Sequence, residues 1–342
     1  MTGRRRDWSK LDESDVRVRP GKGTRPRSKR RPEHADASTA MVIGVDRGRW
    51  TCALDDDPTR VVVAMRAREL GRTPIVVGDQ VDLVGDVSGK VDALARIVRV
   101  GERLSVLRRT ADDTDPYERI VVANAAELLI VCSLADPPPR TGFIDRCLVA
   151  AYAGGLQPVL CLTKSDLAGP EDLIAAYAEL DLPVLVTRSD REPDEVRERV
   201  TGIVSALVGH SGVGKSTLVN RLVPDAHLRT GVVSAVGKGR HTSVAAVALA
   251  LPGGGWVVDT PGVRSFGLAH IEPDDIVSAF EEFVEAAEEC PPGCGHLGAP
   301  EDPDCMLDQV VADGTASPGR LDSLRRLLAS RAGHDDPDAP DH

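Results

Sequence analysis

Eight consecutive residues, Gly209-His210-Ser211-Gly212-Val213-Gly214-Lys215-Ser216, carry the donors that a bound polyphosphate needs. The glycines let successive backbone N–H groups turn inward onto the α- and β-phosphates, Lys215 reaches the β- and γ-phosphates, and the Ser216 hydroxyl ligates Mg²⁺. The nucleotide-facing set extends through Thr217. Ahead of the loop, the apolar run Ile203 to Val208 suits a buried strand, and Lys215 to Leu222 continues as a helix start. A bare glycine-rich turn is the alternative reading, and this strand and helix setting speaks against it.

Two further groups complete a nucleotide constellation. Asp259-Thr260-Pro261-Gly262 follows an apolar stretch. There a carboxylate holds Mg²⁺ through water and the Gly262 N–H faces the γ-phosphate. Alone it could be an ordinary turn, but it lies forty-odd residues after a phosphate loop. Thr163-Lys164-Ser165-Asp166 follows the apolar run PVLCL. Guanine presents N1–H and an exocyclic amine in line, and a carboxylate such as Asp166 accepts both, whereas adenine offers an acceptor at N1. A site built on such hydrogen bonds rejects the analogue lacking them. Lys164 would lie along the base and ribose; a helix cap after a strand is the other reading of this tetrapeptide.

In the usual guanine-nucleotide domain the phosphate loop comes first and the base motif late. Here TKSD precedes GHSGVGKS, which precedes DTPG. This order is a circular permutation, tolerated when the original termini lie close together. Between loop and DTPG, Gly237 to Ser243 (GKGRHTS) is a switch candidate, with Thr242 or Ser243 closing on Mg²⁺ and the γ-phosphate. Many small GTPases place a water-orienting Gln after the DxxG glycine; here that position is Val263, which cannot polarise water. His241 is the nearest titratable group that could do so, or else a surface histidine without a role.

Cys290, Cys294, His296 and Cys305 bring three thiolates and one imidazole within sixteen residues, among Pro and Gly. That set fits a closed, structural tetrahedral Zn²⁺ site. The other cysteines, Cys52, Cys132, Cys147 and Cys161, sit in apolar stretches as core residues.

These elements must be positioned by a multidomain α/β chain. Residues 1–40 hold twelve Lys/Arg against six acids, a net of +6, while the whole 342-residue chain carries −11. So basic and apolar-poor a tail is expected to be disordered until it meets phosphate. Residues 41–110 read as short β-branched runs (MVIGV, WTCAL, RVVVAM, a Pro74-led IVVGDQVDLV, ALARIVRV), a barrel of the oligonucleotide-binding (OB) type. Trp50 is its single aromatic, which argues for shape and phosphate contacts to RNA rather than base stacking. Residues 111–268 alternate strand and helix around a mostly parallel sheet that carries the P-loop GTPase motifs. Residues 269–335 are expected to be a helical zinc-binding domain, with an acidic helix from Pro273 to Glu289 and a helix beginning at Ser317-Pro318, and 336–342 an acidic tail. No apolar run approaches a membrane span, so a cytoplasmic, monomeric protein without membrane contact is expected.

Taken in this order, these motifs resemble the ribosome small-subunit-dependent GTPase A family of circularly permuted GTPases. PIVVGDQV, ERLSVLRRT, IDRCLVAA, LTKSDL, GHSGVGKSTLVN, GKGRHTS, DTPGVRSFGL and the Cys/His cluster carry the resemblance over nearly the whole chain. It implies GTP/GDP, Mg²⁺ and one Zn²⁺ as ligands, and the small ribosomal subunit with its rRNA as partner and activator. It also implies a role in late subunit maturation and assigns His241 to hydrolysis. The chain departs from the family pattern at Thr163, where Asn is more common, and in the spacing of its Cys/His cluster. Other functions compatible with the motifs are an RNA-binding scaffold with a structural nucleotide and an ATP-dependent P-loop enzyme; intact Lys215, Ser216 and Asp259 oppose the first and Asp166 the second.

Overall fold

The computed structural model describes residues 34–110, 118–224, 246–260, 268 and 270–332. The switch candidate Gly237 to Ser243, with His241 and Thr242, lies outside the described residues, as do Gly262, Val263, residues 1–33 of the basic tail and the acidic tail 336–342. Residues 38–40, expected to belong to the basic tail, instead open the first strand, where Ala40 is buried.

Period-two alternation builds the N-terminal part. In β1 (Ser38–Asp46), β2 (Arg49–Leu54), β3 (Val61–Arg66), β4 (Gln80–Gly85) and β5 (Ala95–Val100), alternate residues such as Val62 and Ala64 point inward while Val61, Val63 and Met65 face out. The strands run in the order β1-β2-β3-β5-β4, and β1 pairs back onto β4. Closure of five strands with a single parallel pair, β3 with β5, defines an OB-type barrel. Trp50 is buried in it, and its indole N–H donates to the Ile75 carbonyl at 3.0 Å.

The run IVVGDQVDLV is a strand only from Gln80. Its first half is turned by Gly78, at φ +90°, and by Asp79, whose carboxylate accepts the Val76 N–H at 2.8 Å and is paired with Arg103. This turn packs on a two-stranded ribbon of β6 (Val106–Arg109) and β7 (Arg119–Ala123).

The next six strands are β8 (Glu127–Ser133), β9 (Gln157–Thr163), β10 (Val184–Val186), β11 (Val204–Val208), β12 (Val247–Ala250) and β13 (Trp256–Asp259). β10-β9-β8-β11-β13 run parallel, and β12 turns back antiparallel as the hairpin partner of β13. All of β8 is buried, because both faces of the sheet are covered, which is why it reads as an unbroken apolar run. Leu128, Ile130 and Cys132 face one layer with α1 (Thr141–Ala153); Leu129 and Val131 face the other, with α3 (Asp194–Val200) and α4 (Lys215–Leu222). A short α2 (Glu171–Ala176) follows β9. β12 also meets β1 at Gly44↔Val247, joining barrel and parallel strands into one 11-stranded sheet.

The C-terminal helices are α5 (Pro273–Val277), α6 (Glu281–Glu288), α7 (Leu307–Ala312) and α8 (Pro318–Ala332). The acidic helix expected over Pro273 to Glu289 is thus two helices. Between them the Ser278 hydroxyl takes the Asp275 carbonyl at 2.8 Å, and Phe280 leaves helical geometry (φ −122°, ψ 81°). Its buried ring then lies against Tyr152 and under the Arg320 guanidinium, 4.5 Å from the ring centroid. Ser317 caps α8 by accepting the Arg320 N–H at 3.0 Å. Ile276, Phe280, Phe283, Leu324 and Leu327 share one apolar core with α1 and the sheet.

A Cβ at Gly78 would stand 1.9 Å from the Ala123 carbonyl oxygen, whereas at Gly48, also at positive φ, it would meet nothing within 4 Å. Gly48→Ala should therefore cost only the backbone strain of about 1 kcal/mol, and Gly78→Ala that strain plus an overlap of about 1–3 kcal/mol. Urea unfolding of the two variants checks the difference.

Candidate nucleotide-binding and metal sites

The strand order reverses beside β8: β9 and β10 lie on one side, and the chain then returns to place β11 on the other. Ligands of open α/β sheets bind in the crevice at such a reversal, beyond the carboxyl ends of the strands. The loop Gly209–Gly214 emerges there from β11 and ends as the N-terminus of α4. Gly209 must be glycine because a Cβ would lie 2.7 Å from the Val131 carbonyl of β8, and Gly212 and Gly214 take φ of +85° and +93°. The His210 ring lies against Phe143 of α1, with centroids 4.1 Å apart and the planes tilted by 52°.

Lys215 opens α4, with Ser216 and Thr217 in its first turn. The Lys215 ammonium pairs with the carboxylate of Asp259, which ends β13 and is buried. Next to it, the Thr260 hydroxyl donates to the Leu207 carbonyl at 2.5 Å, locking the ends of β13 and β11 together. A buried carboxylate that already holds a cationic group, the ammonium of the residue just before Ser216, forms with that serine a donor set that fits Mg²⁺ beside a polyphosphate.

The base-reading candidates approach from β9. Thr163 is buried, and its hydroxyl donates to the Val213 carbonyl inside the phosphate loop at 2.5 Å, so this threonine is tied to the loop. Lys164 takes a positive φ of 59°, and its ammonium reaches the Asp136 carbonyl. The Ser165 hydroxyl donates to the Thr187 carbonyl at 3.1 Å. Asp166 is exposed, and its carboxylate accepts the Ser189 N–H at 3.2 Å and the Ser189 hydroxyl at 3.0 Å. The Ser189 N–H, aided by the hydroxyl, holds the Asp166 carboxyl below the usual range, keeping it an acceptor at neutral pH.

Thr187-Arg188-Ser189-Asp190 follows β10, and the structure brings its Ser189 to Asp166. No sequence signal marks a second participant, Arg221 of α4. Its guanidinium donates to the carbonyls of Arg188 (3.1 Å), Arg191 (2.6 Å) and Ser189.

The cysteine cluster is separate. Cys290, Cys294, His296 and Cys305 place one donor atom each within 4.8 Å of one another. The His296 Nδ1 lies 3.4, 3.7 and 3.9 Å from the three sulfurs in that order. Tetrahedral Zn²⁺ with ordinary Zn–N and Zn–S lengths requires about 3.6 Å between such atoms. The other ring nitrogen of His296 faces Asp274 of α5 at 3.2 Å, the partner that turns a ligating imidazole toward its metal. Burial pushes the Cys294 thiol up to about 12 and raises Cys305, a grouping of thiols that a divalent cation would relieve.

A phosphate loop and a TKSD loop that precedes it in the chain, side by side at the carboxyl ends of a parallel sheet that follows an OB barrel, define a circularly permuted P-loop GTPase. Comparison with known proteins gives the family. Residues 100–269 match the model of the RsgA GTPase. The chain is 36% identical over 302 residues to the small ribosomal subunit biogenesis GTPase RsgA of Gemmatimonas aurantiaca, covering 85% of this chain and 96% of that protein. Crystal structures of YjeQ from Thermotoga maritima (25% identity, 87% of this chain and 100% of that one) and of YloQ, a circularly permuted GTPase (22% identity, 90% and 99%), both superpose with a TM-score of 0.61. The chain belongs to the RsgA family of GTPases.

Proposed function

We propose that this protein hydrolyses GTP to GDP and phosphate in the biogenesis of the small ribosomal subunit, and that the subunit stimulates hydrolysis. One observation carries the nucleotide part: the Thr163 hydroxyl bonds the Val213 carbonyl, so the base loop bearing Asp166 and the phosphate loop bearing Lys215 form one continuous surface. The biogenesis role is supported by the small ribosomal subunit biogenesis GTPase of Gemmatimonas aurantiaca, which this chain matches along nearly the whole of that protein's length.

In this reading Asp166 accepts the two in-line donors of guanine, and Lys164 lies along the base. The backbone N–H groups of Gly209 to Lys215, with His210, Ser211, Gly212, Val213 and Gly214 between them, cradle the phosphates with Ser216 and Thr217. Lys215 turns from Asp259 to the β- and γ-phosphates. Mg²⁺, when bound, neutralises charge on those phosphate oxygens, and Ser216, Asp259 and Thr242 are the residues that would hold it. Gly262 would donate its N–H to the γ-phosphate, and His241 would orient the attacking water. Residues 41–110, 111–268 and 269–335 are the corresponding barrel, GTPase and zinc-bearing domains of a cytoplasmic monomer, and the basic tail adds salt-dependent contacts to rRNA phosphates.

GTP hydrolysis should rise by at least about tenfold with small ribosomal subunits, not with large ones, with ATP inert and His241→Ala removing the stimulation. Equal use of ATP, or indifference to the subunit, would sink the proposal.

We also propose that the Cys290, Cys294, His296 and Cys305 cluster holds one structural zinc. Elemental analysis should find one zinc per chain. Cys305→Ser should lose it, with the Tm falling by roughly 10 °C, as expected when a metal that contributes several kcal/mol to folding is removed.

A further inference from the structure

We infer that Arg221 is a positioning residue for base recognition: it ties the loop that holds Asp166 to the helix that follows the phosphate loop. This rests on reading Asp166 as the guanine acceptor. Arg221 sits in the last turn of α4, outside every nucleotide motif in the sequence. Its planar fork takes three backbone carbonyls from four consecutive residues, Arg188, Ser189 and Arg191. A surface turn needs no such partner, since water satisfies its carbonyls. The fork instead fixes the backbone on both sides of the Ser189 N–H, and that N–H and the Ser189 hydroxyl together orient the Asp166 carboxylate. Arg188 lies back along the same turn, paired with Asp190 at 2.9 Å.

The need for this tie follows from Thr163. A hydroxyl has one proton, and Thr163 directs it to the Val213 carbonyl in the phosphate loop. It has none left for the Thr187–Arg191 turn, so a second link between the phosphate-binding and base-binding elements must come from elsewhere. Arg221 provides it from the far end of α4, and is itself held there by Arg197 of α3, which donates to the Arg221 carbonyl at 3.2 Å and is flanked by Glu192 and Asp194. A lysine could not replace it, because one ammonium cannot span three carbonyls in a fixed plane.

Base reading and phosphate binding are then separable. Losing Arg221 should loosen the reading of the base and leave the phosphate loop intact. The test uses the full chain as wild type, Arg221→Ala and Arg221→Lys, and measures affinity for GDP, for IDP, which lacks the exocyclic amine, and for pyrophosphate as a competitor. Wild type is expected to prefer GDP to IDP. Arg221→Ala should lower that preference by about tenfold, the order of one lost hydrogen bond to a charged group, with pyrophosphate competition unchanged and Arg221→Lys recovering only part. A GDP-to-IDP ratio in Arg221→Ala equal to wild type would overturn the inference, and so would a parallel loss of pyrophosphate binding, which marks a general structural role. If the alanine variant does not fold, Arg221→Lys decides by the same ratio. A wild type that fails to distinguish GDP from IDP would instead overturn the reading of Asp166 itself.

Discussion

A single hydrogen bond, from the Thr163 hydroxyl at the end of β9 to the Val213 carbonyl in the phosphate loop, closes the nucleotide site. It joins segments fifty residues apart, and it is possible only because β9 and β11 flank β8 at the reversal of the strand order. The glycines follow from the same packing: Gly209 has no room for a side chain against β8, and Gly214, beside Thr163, takes φ +93°. Circular permutation changes the order in which these pieces are made but not the neighbours each must have. The sheet preserves the site because strand adjacency, not chain order, sets the geometry.

That sheet also joins the site to the barrel. β12 pairs with β13, which ends in Asp259, and touches β1 of the barrel, so one hydrogen-bonded ladder runs from a Mg²⁺-ligand candidate to the OB surface. On the other face, α1 packs against α8. There Asp145 meets Arg326 at 3.3 Å, and burial raises the Asp145 carboxyl despite that guanidinium. The Arg326 guanidinium also stacks over Tyr177, and Arg146 donates to the Ser330 carbonyl at 3.0 Å. The Cys/His cluster is attached through His296 to Asp274 of α5, the helix that follows the DTPG segment in the chain.

Much of this was legible in the residues. The phosphate loop, TKSD and the Cys/His cluster are short local patterns whose chemistry fixes their spacing, and the alternation in the barrel strands and the unbroken apolar run of β8 follow directly from one and two buried faces. What escaped the sequence depends on tertiary contacts. Gly78 and Asp79 convert half of a strand-like run into a turn because β7 lies across it, and Phe280 breaks an acidic helix to bury its ring against Tyr152 and Arg320. Thr163 stands where Asn is more common, and its role follows only from the hydrogen bond of its hydroxyl to the phosphate loop. Ser189 reaches the Asp166 carboxylate through its own N–H and hydroxyl, and Arg221 acts through the carbonyls of distant residues; no periodicity or motif encodes such directions.

The central claim is that Asp166 and the phosphate loop belong to one guanine-nucleotide site. The most direct measurement is the affinity of Asp166→Asn for GDP and for XDP, whose base carries a carbonyl where guanine has its amine. The account predicts that GDP binding falls by at least about 100-fold while XDP binding strengthens, because the asparagine amide donates where the carboxylate accepted. Unchanged GDP affinity in this variant would contradict it.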